Sequence, residues 1–375
     1  MKIPFNTPHF CGTESKYIAE AFQNKQFSGD GAFTANTSSM LESIFEAKRV
    51  LLTHSCTAAL EMCAILLNIS PGDEVIMPSF TFVSTANAFV LRGGCPVFVD
   101  IDPKTQNIDI DCIEQAISPR TKAIVVVHYA GISCDMDKLM SLADSHQLPI
   151  VEDAAQCIYS KFKGKPLGSF GDLATVSFHE TKNISCGEGG ALIINNEEYI
   201  CRAEILREKG TNRSSFFRGD VDKYTWVDMG SSYLPGEISA AFLFAQLQDG
   251  HEITRRRLEK WDSYLQYFSG LDTSILGSVM TVPEFSQHNA HMFYLVCSSL
   301  RRRSEFISYM RSRGIGCVFH YVPLHSSPAG LKYGKVASSM KVTERAGECL
   351  VRLPMGPGVD VTSVIEAVDS FTALA

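Results

Sequence analysis

One lysine, Lys182, lies between an apolar segment and a glycine-rich turn in the stretch SFHETKNISCGEGG (177–190). Most lysines of globular proteins are solvated, and a loop position favours that ordinary interpretation. A lysine amine can also act as nucleophile or base, provided that burial lowers its pKa. The polar residues at other predicted strand ends decide which interpretation is better.

Asp153 lies at the carboxyl end of the apolar segment LPIVEDA, and Gln156 follows three residues later. A carboxylate in this position needs a partner, because an unpaired charge in a cleft of low dielectric constant is costly. It could cap a helix, meet an arginine, or hold a proton on the pyridine nitrogen of pyridoxal 5'-phosphate (PLP).

Two further strand ends suit a flat, phosphorylated ligand. In KRVLLTHSCTAALEM the strand breaks at residues 54–57, and free N–H groups of the following helix could bind an anion, although Ser55 or Thr57 could simply cap the helix. Phe80 and Phe82 follow another strand, where they could be core or one ring could stack on a cofactor. A phosphate site, a stacking ring, an acid and an amine together are what PLP requires.

Apolar runs alternate with helical patterns between residues 48 and 195. The predicted strands are KRVLLT, DEVIMPS, CPVFVDI, AIVVVHY, LPIVEDA, LATVSFH and GALIINN. This alternation predicts an α/β fold with a mainly parallel seven-stranded sheet between helices, and ligands at the carboxyl ends of its strands. The last two strands leave no room for a helix, so we expect an antiparallel hairpin there.

The pattern of predicted strands and helices changes after residue 250. A long helix at about 251–269 leads into strand-like and helical segments that predict a smaller α+β region. We therefore predict a large PLP-binding domain over 1–250, including an N-terminal substrate loop, and a small C-terminal α+β domain over 251–375. No Pro/Gly-rich linker separates them, which predicts tight packing.

Composition limits the class of protein. The net charge of −7 gives no electrostatic reason to expect nucleic-acid binding, and the clusters 255–257 and 301–303 of arginines are interpreted as solvated helix faces or termini. No apolar run is long enough to span a membrane. Twelve scattered cysteines, without a CxxC pair or metal-like spacing, predict reduced thiols, no metal site and a cytoplasmic protein.

The segments SCTAALE, PSFTFVSTANA, VHYAG, EDAAQ, SFHETKN and GEGGA occur in an order that resembles the PLP-dependent nucleotide-sugar aminotransferases of the DegT/StrS type. The resemblance extends from the IPFN start to the VFHYVPLH and RLP segments near the C-terminus. It implies PLP fold type I, the fold of aspartate aminotransferase, and a homodimer with each active site at the subunit interface.

The resemblance also implies roles for individual residues. Lys182 would bind PLP covalently and be the catalytic residue, and Asp153 would pair with the pyridine nitrogen. Gln156 would hydrogen-bond the ring oxygen, and Phe82 would stack on the ring face.

The cofactor phosphate would be held by Cys56, Thr57 and Ser177 of the same chain. Many relatives have Asn-Tyr where this chain has Ser232-Tyr233, and that Asn reaches the phosphate of the partner's cofactor. Ser232 is shorter and has one donor, so its cross-subunit contact is left open.

The segments IMPSFTFVSTANAFVLRGG, REKGTNRSSFFRG and VDKYTWVDMGSSYL are especially similar to family members acting on a dTDP-sugar. They imply transfer of an amino group from L-glutamate to C4 of dTDP-4-dehydro-6-deoxy-D-glucose, giving dTDP-4-amino-4,6-dideoxy-D-galactose and 2-oxoglutarate. No motif reports which face of C4 is attacked, so the gluco epimer is an alternative. Candidate substrate residues, which could equally be surface charges, are Asp30, Lys209, Arg213, His320 and His325.

The same residues argue against three rival functions. The related 3-dehydratases have histidine at the lysine position, so Lys182 argues against that chemistry. A cysteine desulfurase needs a catalytic cysteine in a mobile loop, a setting that neither Cys317 nor Cys349 shows. A non-catalytic regulator or scaffold with this fold would not need the Lys182/Asp153 pair, and no helix-turn-helix segment is present.

Overall fold

The computed structural model describes residues 2–373. The helices are α1 (Glu14–Gln23), α2 (Ala32–Phe45), α3 (Cys56–Leu66), α4 (Val83–Val90), α5 (Ile110–Ala116), α6 (Met136–His146), α7 (Ile200–Arg207), α8 (Arg213–Arg218), α9 (Glu237–Gln248), α10 (Gly250–Phe268), α11 (Thr273–Leu276), α12 (Leu300–Ser312), α13 (Pro328–Tyr333), α14 (Lys341–Cys349) and α15 (Val361–Thr372). The strands are β1 (Arg49–Thr53), β2 (Glu74–Pro78), β3 (Cys95–Val99), β4 (Thr121–Val127), β5 (Ile150–Asp153), β6 (Lys161–Phe162), β7 (Lys165–Pro166), β8 (Leu173–Ser177), β9 (Gly190–Ile194), β10 (Gly277–Val279), β11 (Ser286–Gln287), β12 (Phe293–Cys297), β13 (Val318–Phe319), β14 (Lys335–Val336) and β15 (Leu350–Leu353).

The large sheet has the strand order β1-β9-β8-β5-β4-β2-β3-β14. All seven predicted strands form, and the pairs from β8 through β5, β4 and β2 to β3 are parallel. The predicted hairpin is confirmed, since β8 and β9 pair antiparallel with Ser177 opposite Gly190. The mainly parallel α/β architecture is therefore confirmed.

Helices cover both faces of this sheet because its strands carry apolar side chains on both sides. On one face, Val125 and Val151 belong to a core shared with α3, α4 and α7. On the other face, Ile124 and Val126 pack in a core with α5 and α6. Successive residues of β4 thus serve opposite cores, as the two-residue period of a strand requires.

An eighth strand, β14, was not predicted. It has two residues and pairs parallel with β3 at the edge of the large sheet, with Lys335 opposite Val97. It comes from the C-terminal part of the chain, so the sheet is larger than the predicted seven strands. Two residues carry no readable hydrophobic period, which explains why the sequence did not reveal it.

A second, antiparallel sheet of order β10-β12-β15-β13 forms in the C-terminal part, and its core is shared with α10, α12 and α15. Contacts join this part to the rest of the chain. Strand β11 pairs with β6 in a small third sheet, and Ile3 forms a parallel bridge with Ile315. The division at residue 250 falls at the start of α10, and it stays a prediction.

Within residues 2–373, no helix is both long enough and apolar enough to cross a bilayer. All twelve cysteines are free thiols.

Candidate active site

A cavity of about 690 Å³ opens where β1, β5 and β8 end and the C-terminal sheet approaches them. Carboxyl ends of parallel strands are the usual ligand sites of such sheets. Eight of the residues predicted to bind the cofactor or a substrate line this one cavity: Cys56, Thr57, Phe82, Asp153, Gln156, Ser177, Lys182 and His320.

The N-terminus of α3 forms one wall. Ser55 is its N-cap, and the Ser55 hydroxyl accepts the N–H of Ala58 at 3.1 Å. The N–H groups of Cys56 and Thr57, in the first turn, have no acceptor within the helix and remain available to an anion. Capping and anion binding, which the sequence left as alternatives, are therefore compatible. The Thr57 hydroxyl is 2.8 Å from that of Ser84.

Gly190, at the start of β9, lets the hairpin pass close behind this wall. A Cβ atom at this position would lie 2.3 Å from the backbone nitrogen of Cys56. Only a residue without a side chain fits there unless α3 moves. The GEGG segment thus brings the Lys182 turn against the anion-binding end of α3.

Asp153 ends β5 and is buried at the cavity wall. Its Oδ2 accepts the hydroxyl proton of Thr85 at 2.7 Å, and its Oδ1 accepts the N–H of Ala155 at 3.2 Å. Burial raises the pKa of this carboxyl, while these hydrogen bonds and the Lys182 charge act in the opposite direction. The acid is held in a fixed orientation in a poorly solvated position.

Lys182 lies in the turn after β8, with its N–H donated to the carbonyl of His179 at 2.9 Å. Burial lowers the pKa of its ammonium. The next residue, Asn183, is fully anchored, since it donates to the carbonyl of Asn289 at 2.9 Å and its Oδ1 is 3.0 Å from Nδ1 of His291. The turn therefore presents a lysine with an increased neutral fraction at a defined place.

The two phenylalanines after β2 have different environments. Phe80 is fully buried in the core, whereas Phe82 is 56% exposed, precedes α4 and lines the cavity. Phe82 is therefore the ring available for stacking on a ligand. Gln156 lies near, with its Oε1 accepting the N–H of Ala130 at 2.7 Å and its Nε2 3.4 Å from the hydroxyl of Tyr321.

Five predicted residues do not reach this cavity within the chain. Asp30 and Arg213 line a separate cavity of about 440 Å³, where Asp30 pairs with Arg207 at 2.6 Å. Lys209 is exposed and pairs with Glu208, and Ser232 is exposed.

His325 is also absent from the cavity lining, because it is buried with its Nδ1 2.8 Å from the hydroxyl of Ser79. His320, in contrast, lines the cavity and has its Nδ1 3.0 Å from the hydroxyl of Tyr129. Burial lowers the pKa of His320, which favours a neutral ring. His179 lines the cavity too, and its Nδ1 is 2.9 Å from the hydroxyl of Thr181.

The prediction that the cluster 255–257 is solvated is wrong for Arg257. This residue is 4% exposed and lines the cavity, because it lies on the buried face of α10 with Ile253 and Trp261. Its spacing of four residues from each was the signal that could have revealed it. Arg255 and Arg256 are exposed on the opposite side, as predicted.

Sequence reasoning also missed Arg352, Tyr321, His291 and Thr85, all of which line the cavity. The signal for Arg352 was an arginine inside the apolar strand LVRL, where its neighbours are buried. The others carry no comparable signal, since a tyrosine, a histidine or a threonine in such positions is ordinary.

One group of metal-ligand types lies elsewhere: side-chain atoms of His9, Cys11 and Asp249 are within 4.8 Å of one another. Burial and the nearby carboxylates of Glu14 and Asp249 raise the pKa of Cys11 to about 12.

Each part of the PLP molecule has a suitable partner among the cavity residues. The first turn of α3 and Ser177 provide phosphate donors, Phe82 an open ring, Asp153 a fixed carboxylate and Lys182 an amine of lowered pKa.

Comparisons with known proteins identify the family of the chain. The model of the DegT/DnrJ/EryC1/StrS aminotransferase family matches residues 10–372. GDP-perosamine synthase of Caulobacter vibrioides is 32% identical over 381 residues, covering 98% of each chain. The aminotransferase TlmJ of Streptoalloteichus hindustanus superimposes with a TM-score of 0.91 at 29% identity, covering 99% of each chain.

A sugar aminotransferase described as putative, Spr1654 of Streptococcus pneumoniae, has been solved in its PLP form and matches with a TM-score of 0.91 at 26% identity, covering 99% of each chain. The chain belongs to the DegT/DnrJ/EryC1/StrS aminotransferase family. It is a PLP-dependent sugar aminotransferase of fold type I, which confirms the predicted fold class, enzyme class and cofactor.

Proposed function

We propose that the enzyme transfers the amino group of L-glutamate to C4 of dTDP-4-dehydro-6-deoxy-D-glucose, giving dTDP-4-amino-4,6-dideoxy-D-galactose and 2-oxoglutarate. This is the reaction of the transaminase of enterobacterial common antigen synthesis, to which three segments of the sequence are especially similar. The observation that carries the aminotransferase chemistry is the convergence of Lys182, Asp153 and the α3 N-terminus on one cavity.

When bound, PLP supplies an electron sink for the carbanion that forms at the amino donor's α-carbon. Lys182 holds the cofactor and then moves a proton at that carbon, a role that its lowered pKa favours. Asp153 keeps a proton on the pyridine nitrogen, and the Thr85 hydroxyl keeps Asp153 in place. Cys56, Thr57 and Ser177 hold the phosphate.

The proposal also specifies the nucleotide of the sugar substrate and the configuration of the product at C4. GDP-perosamine synthase, a relative of similar length, is named for a GDP-sugar, so dTDP and GDP substrates need direct comparison. The galacto product is the one that the resemblance implies, although no motif of the sequence reports which face of C4 is attacked. The gluco epimer is the alternative, because C4 can be attacked from either face.

We further propose a homodimer with shared active sites. Segment 216–229 exposes large apolar side chains, among them Phe217, Tyr224, Val227 and Trp226, of which Trp226 is 78% exposed. Contiguous exposed apolar surface of this kind is typical of an interface. Ser232 follows directly and is available for the partner's cofactor phosphate, and the separate cavity with Asp30 and Arg213 lies at the same α8.

The dimer is tested by light scattering of Trp226→Glu, with the exposed Arg301→Gln as control. Trp226→Glu should be monomeric and the control dimeric; a dimeric Trp226→Glu would contradict this interface. The twelve free cysteines favour a reducing compartment, and we propose the cytoplasm.

The function is tested by incubating the enzyme with L-glutamate and either dTDP- or GDP-4-dehydro-6-deoxy sugars. We expect an aminated dTDP product with an axial C4 amine by NMR. An equatorial amine would support the gluco alternative, and preference for the GDP-sugar would refute the dTDP assignment. A protein that binds PLP without transferring amine to any sugar would support the regulator or scaffold alternative.

A further inference from the structure

The cavity has an excess of positive charge. Three cationic residues line it, Lys182, Arg257 and Arg352, against the buried acid Asp153 and the exposed Glu188. Neither arginine forms an ion pair with a carboxylate among residues 2–373. Buried charges are normally paired, so this arrangement requires anions from the ligands.

The guanidinium of Arg257 already donates hydrogen bonds to the protein backbone. Its Nε donates to the carbonyl of Ala290 at 3.0 Å, and its Nη2 donates to the carbonyl of His291 at 2.7 Å. These bonds hold the segment that anchors Asn183, next to Lys182. Arg257 is therefore a positioning residue for the lysine turn.

The guanidinium of Arg352 is not held by the backbone in this way. It lies on β15, between Tyr294 of β12 and Val318 of β13, and its side chain reaches the cavity. Among residues 2–373 it makes one hydrogen bond, which is long, 3.4 Å from Nη2 to the carbonyl of Phe319. Its guanidinium carbon is 4.6 Å from the ring centre of Phe5, and its buried Nε–H has no acceptor.

We propose that Arg352 binds a carboxylate of the amino donor, an inference that rests on the proposed function. A guanidinium presents paired N–H donors that match a carboxylate. The cofactor phosphate has its own donors at α3, on the large sheet, whereas Arg352 belongs to the C-terminal sheet. Arg352 is thus the cavity arginine whose donors are free for a second anion.

The position of Arg352 favours a small anion over a sugar diphosphate. Arg352 lines the same cavity as Lys182, whose amine has a pKa that is lowered first by burial and further by the Arg352 charge. In an amino acid the carboxylate is bonded directly to the α-carbon that reacts, so its counter-ion must lie near the lysine. The diphosphate of a nucleotide sugar lies several bonds from C4 and can reach the outer part of the cavity.

The test separates the two halves of the reaction. Arg352→Gln and Arg352→Lys are compared with Arg301→Gln, an exposed substitution outside the cavity. Calorimetry measures binding of 2-oxoglutarate to each protein, and stopped-flow absorbance measures amine transfer from L-glutamate and, separately, from the aminated enzyme to the keto-sugar. The absorbance spectrum of the bound cofactor reports that each variant is folded.

Arg352→Gln should weaken 2-oxoglutarate binding and raise the apparent dissociation constant for L-glutamate by roughly thirtyfold or more. Arg352→Lys should fall between it and wild type, because it keeps the charge and loses the paired donors. The rate with the keto-sugar should stay within about twofold. Unchanged 2-oxoglutarate and glutamate affinities in Arg352→Gln would overturn the assignment, whereas a wild-type enzyme inert with glutamate would overturn the proposed function.

Discussion

The hydroxyl of Thr85 donates a hydrogen bond to Oδ2 of Asp153 at 2.7 Å, inside the buried wall of the cavity. Because that proton is used, the hydroxyl of Thr81, 2.8 Å from Thr85, must donate to Thr85 in turn. The two threonines form a short chain whose donors all point toward the carboxylate. This chain favours the ionised form of Asp153 against the effect of burial.

Thr85→Val should therefore impair the enzyme while keeping the shape of the side chain. Losing a hydrogen bond to a charged group costs about 1.5–3 kcal/mol, which predicts a fall in kcat of roughly ten- to a hundredfold. The pKa of Asp153 should rise further, because one stabilising donor is removed. Steady-state kinetics and the absorbance of the bound cofactor against pH measure both effects.

Thr85→Ser is the matched control, since it keeps the hydroxyl and should retain most activity. Equal kcat values for Thr85→Val and wild type would show that the hydrogen bond does not support catalysis.

Lys182→Ala should bind PLP non-covalently and lose turnover. Removal of a proton-transferring group costs roughly 10²–10⁴-fold, and loss of the covalent link adds to it. Mass spectrometry after borohydride treatment should find the cofactor on residue 182 of the wild type and on no residue of the variant. Lys163→Ala, at an exposed lysine, should behave as wild type. An adduct on another lysine would contradict the assignment.

The protonation of Lys182 has a testable pH dependence in the cofactor-free protein. Burial disfavours the ammonium and lowers its pKa, so the neutral amine forms at lower pH than on the surface. Lys163 serves as an internal reference, because its hydrogen bond with Asp137 raises its pKa.

Trace acylation with acetic anhydride, read by mass spectrometry across pH, should give an earlier midpoint for Lys182 than for Lys163. Coincident midpoints would refute the lowered pKa.

Gly190→Ala should damage the phosphate site. The new Cβ would meet the backbone of Ser55 and Cys56 at 2.3–2.4 Å, so α3 must move, at a cost of roughly 1–3 kcal/mol or more. We expect a lower Tm and weaker PLP binding by fluorescence titration. Gly358→Ala, where a Cβ meets nothing within 4 Å, is the control. Unchanged PLP affinity in Gly190→Ala would show that the close approach is not needed.

The part of the site on the large sheet could be predicted from sequence, because it depends on local rules. Long apolar strands are readable, their carboxyl ends meet at one edge, and polar residues at those ends must then converge. Lys182, Asp153 and Thr57 were found in this way, and the structure brings them to one cavity.

The rest depends on tertiary contacts that no local pattern reports. Arg352, on β15, and Tyr321, just after β13, both lie more than a hundred residues beyond Lys182 along the chain. Arg257 was misinterpreted because three adjacent arginines suggest a solvated face, whereas helical spacing buries only the third. His325 and His320 are five residues apart in one motif, but only His320 reaches the cavity.

The short strand β14 has a consequence for motion. Because Lys335 and Val336 pair with β3 at the edge of the large sheet, and Lys335 also pairs with Glu74 at 2.6 Å, the C-terminal part is attached to the rest of the chain here as well as through β11 and the Ile3–Ile315 bridge. Rotation of the C-terminal part as a whole would have to break these contacts. We therefore expect the two sheets to keep Lys182 and Arg352 at a nearly constant separation when a ligand binds.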